Sequence, residues 1–178
     1  MAKGEDCYQE AETQLLKAYK LAHHKKFLKN RIGCIETLSL LYSYMQDGEH
    51  ALRFAQEAWI QEPDTTRKYM SALLTGEAYY QLKRYDSAMV WLEKTITGGA
   101  SLPVRLSAYM SLADIAEELG EVEKALMYQK KYQQAEHDLA ERAQQVTEIR
   151  LTEQSQVHRQ EQAQMKRLVL ICLAAIGV

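Results

Sequence analysis

Small residues recur at a fixed distance along this chain, and that recurrence limits its fold more than any other feature. Ser39, Gly76 and Ala113 lie 37 residues apart, and Ala51, Ala88 and Ala125 keep the same interval. Apolar side chains follow at steps of 3 to 4 residues, the period of a buried helix face. The central copy, 71–96, shows the pattern best: Gly76 with Tyr79 and Tyr80, a polar break at Lys83-Arg84-Tyr85-Asp86, then Ala88, Trp91, Leu92 and Ile96. Two short amphipathic helices joined by a tight turn cannot bury their stripes alone. Hairpins of this kind must stack on copies of themselves.

The pattern places the hairpins along the chain. Residues 5–22 read as a return helix without its outgoing partner, with Ala11, Leu15 and Ala18 spaced like Ala51, Ala55 and Ala58, so the chain is expected to begin in mid-repeat. His23-His24-Lys25-Lys26 reads as a solvated basic loop, because adjacent histidines on a helix point about 100° apart and do not converge on a metal. The first complete hairpin sets Ile32, Ile35, Leu38, Leu41, Tyr42 and Met45 against Ala51, Leu52, Phe54, Ala55, Ala58, Trp59 and Ile60, with Asp47-Gly48-Glu49 as its turn. Pro63 ends it. Asp64 or Thr65 is expected to cap the next helix. Gly98-Gly99 closes the central hairpin, and Ser101 with Pro103 opens the third. The third hairpin turns at Gly120-Glu121 and returns through Ala125, Leu126, Tyr128 and Tyr132. With only 2 prolines and 8 glycines in 178 residues, little interrupts the helices.

The units resemble tetratricopeptide repeats. Leu38, Tyr42, Ala51, Ala58 and Pro63 carry the resemblance in the first complete unit, Gly76, Tyr79 and Ala88 in the second, and Leu112, Ala113 and Ala125 in the third. Ser39 replaces the glycine of that pattern, Thr95 and Tyr132 replace its second alanine, and the period is 37 where about 34 is usual. The resemblance covers residues 5–132 and implies an all-α, helical-hairpin solenoid of about three and a half hairpins. It also implies a concave wall built from the outgoing helices. Candidate partner-binding residues on that wall are Glu36, Leu40, Ser43 and Tyr44, then Leu73, Glu77 and Tyr80, then Met110, Asp114 and Glu117. None is basic. A clamp for a partner's terminal carboxylate, which needs cationic or amide donors, is therefore disfavoured against a peptide or helix with apolar and basic groups.

Beyond Tyr132 no further turn is signalled. Residues 133–167 read as a long polar stalk helix with a thin apolar stripe at Leu139, Ala143, Val146 and Ile149, at most a weak coiled-coil homodimer because Glu153 and Gln160 interrupt it. An apolar run, 168–178, follows Lys166-Arg167. It is about half the roughly 20 residues a spanning helix needs. It reads either as the start of a transmembrane helix or as a short anchor or packing helix; the first is favoured, since so apolar a run is a liability in water. The expected domains are thus 1–29, 30–132, 133–167 and 168–178.

Chemistry is not signalled. The chain holds no nucleophile elbow, phosphate loop, paired-histidine zinc motif or kinase signature, so no enzyme, cofactor or metal is expected. Cys7, Cys34 and Cys172 read as buried free thiols, and Met45, Met70, Met89 and Met127 as gap-filling core. A net charge of −2 gives no electrostatic reason to bind nucleic acid. The expected function is protein or peptide binding, as the sensing part of a membrane-anchored bacterial signalling regulator with its repeats on the extracytoplasmic (periplasmic) side. Lys166-Arg167 mildly opposes that orientation, since basic residues flank the cytoplasmic end of a span. The alternative is a cytosolic scaffold or adaptor whose apolar terminus packs on itself or a partner.

Overall fold

The computed structural model describes the backbone of residues 2–22 and 27–176 and the side chains of 7–22 and 27–168. The basic loop expected at 23–26 and the side chains of 169–178, Cys172 among them, lie outside the described residues. Among the described residues seven helices follow one another: α1 (Ala2–Leu21), α2 (Leu28–Tyr44), α3 (Gly48–Gln61), α4 (Lys68–Gln81), α5 (Tyr85–Thr97), α6 (Leu102–Glu118) and α7 (Val122–Ile176). No strand occurs among the described residues. The fold is an all-α helical-hairpin solenoid followed by a long C-terminal helix.

The three turns are built alike. Gln46, Lys83 and Gly120, again 37 residues apart, take positive φ values of 60°, 58° and 73°. In each turn the next amide reaches back five residues. Asp47 N–H donates to the Tyr42 carbonyl at 2.9 Å, Arg84 to Tyr79 at 2.9 Å, and Glu121 to Ala116 at 2.8 Å. This is the Schellman arrangement, which satisfies the orphan carbonyls at a helix end. Only the third turn uses the glycine that left-handed backbone favours. Gln46→Gly is expected to raise stability by about 1 kcal/mol, because it removes a side chain from a left-handed position. Urea denaturation of the two proteins checks this, and an unchanged or lowered midpoint would contradict it.

Small residues hold each hairpin closed. The Ser39 hydroxyl donates to the Ala51 carbonyl at 2.9 Å, both residues being fully buried. At the equivalent crossing, a β-carbon on Gly76 would sit 2.7 Å from Leu92 Cγ and 3.3 Å from the Ala88 carbonyl oxygen. No side chain fits between α4 and α5 there. At the hairpin ends Asp47 caps α3 through the His50 amide at 3.1 Å, and Asp64 accepts from the amides of Thr66 and Arg67. Ser101 is the N-cap residue of α6 but makes no side-chain capping bond, leaving Pro103 as the start signal.

Two clusters form the core. Ile35, Leu38, Tyr42, Ala51, Leu52, Phe54 and Ala58 fill the first hairpin, and Leu73, Ala88, Leu92, Ala108, Leu112, Ile115 and Tyr128 join the second to the third. Tyrosine hydroxyls donated to glutamates tie successive hairpins: Tyr19 to Glu57 at 2.8 Å, Tyr42 to Glu12, Tyr80 to Glu118 at 2.9 Å, and Tyr128 to Glu93 at 3.3 Å. Each bond joins different helices, so it fixes how one helix is seated on another. It also satisfies a hydroxyl that packing would otherwise strand.

Two expectations are corrected. Met45, Met70 and Met127 are 37 to 40% exposed, because each stands at the margin of its helix's apolar stripe; Met89 alone of the four packs against a core cluster. Cys7 is exposed and Cys34 half-buried. Both are free thiols.

Residues 1–135 and 136–178 form separate units, divided within α7. In the second, Val146, Ile149 and Val157 are 54 to 59% exposed, as a lone helix dictates. No helix among the described residues is long and apolar enough to cross a membrane.

Candidate functional site

The outgoing helices α2, α4 and α6 lie side by side, since α4 contacts both of its counterparts directly. Between them runs an open groove of about 500 Å³ lined by Leu40, Ser43, Tyr44 and Gln46, by Glu77, Tyr80, Gln81 and Lys83, and by Ser111. Helical spacing explains its floor: Glu77 and Gln81 are one turn apart on α4, so their side chains share a face.

Glu77 is the unusual group. It is largely buried, and burial alone pushes its carboxyl up to about 7. No hydrogen bond or opposing charge offsets the loss of water, which disfavours the ionised form. Gln81 donates Nε2 to the Ser43 carbonyl at 3.0 Å, which fixes its amide orientation and leaves Oε1 buried without a partner. Two acceptors on one helix face thus lack donors.

The groove's own cation is engaged elsewhere. Lys83 Nζ lies 3.0 and 3.2 Å from the two carboxylate oxygens of Glu118. Glu118 also accepts from Tyr80 and Tyr85, and these hydrogen bonds with the ammonium hold its carboxyl down at about 2. The Tyr80 hydroxyl is correspondingly pushed up to about 12, by burial first and then by Glu118. Asp114 on α6 is raised by burial and by the neighbouring charges of Glu117 and Glu118. Glu77, Asp114 and Glu118 against Lys83 leave this part of the wall acidic.

The expected wall residues separate into distinct environments. Leu40, Ser43, Tyr44, Glu77 and Tyr80 meet in the groove. Leu40 and Tyr44 form an apolar rim, 39% and 71% exposed. Met110 is half exposed on α6 beside Ser111, and Asp114 stands one turn further on. Leu73 does not reach the surface: it is 5% exposed in the core with Leu92 and Leu112, because α4 is flanked on both sides and buries more than one stripe. Glu36 lines a separate hollow of about 250 Å³ with Arg67 and Met70, and accepts from Ser71 at 3.0 Å. Glu117 accepts from Gln129 Nε2 at 2.6 Å and so leans toward α7.

Gln46, Gln81, Lys83 and Ser111 are groove residues that the sequence pattern did not single out. The signal for Gln81 was present, four residues beyond Glu77. Lys83 and Gln46 lie on turns, where helical periodicity has no say. No family model, curated protein or solved structure matches this chain.

Proposed function

We propose that the hairpin unit is a non-catalytic peptide-binding module of the tetratricopeptide type, and that a partner segment lies in the groove across α2, α4 and α6. One observation carries this reading: Leu40 and Tyr44 present exposed apolar surface beside a concave floor. Pre-formed clefts with an apolar lining and a few placed polar groups are where proteins hold ligands. Stacked helical repeats supply such clefts as a consequence of their curvature. The groove offers hydroxyls, amides and carboxyls, but no arrangement of nucleophile and base, which supports a binding role.

The test is a peptide array of random 12-residue sequences, probed with the wild-type chain and with a Leu40→Ala/Tyr44→Ala variant. Both substituted side chains are exposed, so the variant is expected to keep its melting temperature within a few degrees. Peptides retained by the wild type are expected to lose at least tenfold in affinity for the variant. Equal retention by the two proteins would place binding elsewhere.

A further inference from the structure

Among the described residues, the floor of the groove lacks a counter-charge for its carboxyl. Lys83 is the sole basic residue lining it among the described residues. That ammonium is held by Glu118 and also lies 5.6 and 5.8 Å from the ring centroids of Tyr80 and Tyr85. From α2, Leu40, Ser43 and Tyr44 face Glu77, and none carries a charge at neutral pH. From α6, Ser111 lines the groove and Asp114 stands one turn further along, adding negative charge. The helices α3 and α5 contribute no lining residue. The Gln81 Oε1 beside Glu77 is a second acceptor without a donor.

An ammonium or guanidinium group suits this set of groups. It brings the charge Glu77 lacks and three to five N–H donors. Its aliphatic stem can lie along Leu40 and the rings of Tyr44 and Tyr80, as the stems of long cationic side chains lie on apolar surface. Truncating one member of a buried charge pair is strongly unfavourable because the other is left unpaired. In the free chain Glu77 stands in that unpaired condition.

Resting on the groove reading above, we propose that the module selects a peptide segment carrying a lysine or arginine flanked by apolar residues, whose cationic head pairs with the Glu77 carboxyl. Selectivity then follows protonation. The cation binds the ionised carboxyl, so binding expels the Glu77 proton when one is present. Burial holds that carboxyl up at about 7, and affinity is expected to rise about tenfold between pH 6 and pH 8, following the ionised fraction. An apolar segment in the same groove lacks this dependence.

The probe is a lysine-containing 12-residue peptide retained on the array, paired with the same sequence bearing norleucine in place of lysine. Titration calorimetry at pH 6 and pH 8 is run on the wild type, Glu77→Gln and Glu77→Asp. The lysine peptide is expected to bind the wild type about tenfold more tightly than its norleucine partner at pH 8, with little difference at pH 6. Glu77→Gln is expected to abolish the advantage and the pH dependence together, and Glu77→Asp to retain part of both. Equal binding of the two peptides to the wild type at pH 8, or a lysine advantage that survives in Glu77→Gln, would overturn the proposal. If both peptides bind alike yet lose affinity in Leu40→Ala/Tyr44→Ala, the cation is rejected while the groove stands. If neither responds to the rim substitutions, the groove itself is rejected.

Discussion

Gly76→Ala is expected to destabilise the chain by about 2 kcal/mol, and to cost close to nothing once Leu92 has been reduced to alanine. A β-carbon at position 76 would meet Leu92 Cγ at 2.7 Å and Cδ2 at 2.8 Å, with the Ala88 carbonyl oxygen at 3.3 Å. Leu92 is fully buried and cannot swing into solvent. Overpacking of this kind costs about 1–3 kcal/mol. Leu92→Ala alone is expected to cost about 3 kcal/mol, through lost burial and the cavity left behind. In that cavity the new methyl group is freed of its two closest contacts and keeps only the Ala88 carbonyl oxygen at 3.3 Å, a tightness that alanine's advantage over glycine inside a helix, about 1 kcal/mol, offsets. Urea unfolding of the four proteins measures the coupling, expected near 2 kcal/mol. Additive effects would show that the two helices do not meet at this point, and with that the account of the hairpin would fail.

Glu77→Gln is expected to stabilise the chain by about 2 kcal/mol at pH 8 and to change little at pH 4. A carboxyl raised from 4.5 to about 7 binds its proton more tightly in the folded chain than in the unfolded one. Stability is therefore fully kept below pH 4.5 and declines as pH rises toward 7, the reverse of a salt-bridged carboxylate. The full displacement sets a ceiling of about 3 kcal/mol, lowered here because the side chain keeps some contact with water. Glu36 and Asp114 are displaced in the same direction by burial, so the pH profile of the wild type alone does not isolate Glu77. The difference between the two proteins does. A difference that stays constant from pH 4 to pH 8 would contradict the account.

Much of the hairpin framework can be read directly from the residues. Ser39 and Ala51, and Gly76 and Ala88, are the contact points their size implies, and the turns fall where Asp47-Gly48, Lys83-Arg84 and Gly120-Glu121 interrupt the apolar period. The reason is local: a close helix crossing tolerates few side chains, and a Schellman turn needs one left-handed residue. What stays hidden is which way each polar or apolar residue of a packed helix points. Leu73 and Glu77 are one turn apart on α4, yet Leu73 is core and Glu77 lines the groove. A helix with neighbours on several sides buries a wide arc, so the edge between core and wall depends on the angle at which the next hairpin is set. Glu117 and Glu36 were drawn from the wall by Gln129 and Ser71, partners far away in sequence. Gln46 and Lys83 carry no glycine signal for the left-handed backbone they adopt. The exposure of Met45, Met70 and Met127 has the same origin as that of Leu40: each stands at a stripe's margin.

Function was legible in outline only. The acidic and apolar character of the wall can be read from the sequence, but the unpaired state of one carboxyl on it cannot. It depends on Lys83 being drawn to Glu118, 35 residues away, while Glu77 keeps no partner on its own helix or on α2 and α6.

The most direct measurement is the titration of the Glu77 side-chain carboxyl carbon by ¹³C NMR in the free chain. A midpoint near 7 is the result the account predicts, since it requires a largely buried carboxyl without a counter-ion on the floor of the groove. A midpoint near 4.5, the ordinary value of a solvated glutamate, would place Glu77 in solvent or beside a cation, and would contradict the groove as described.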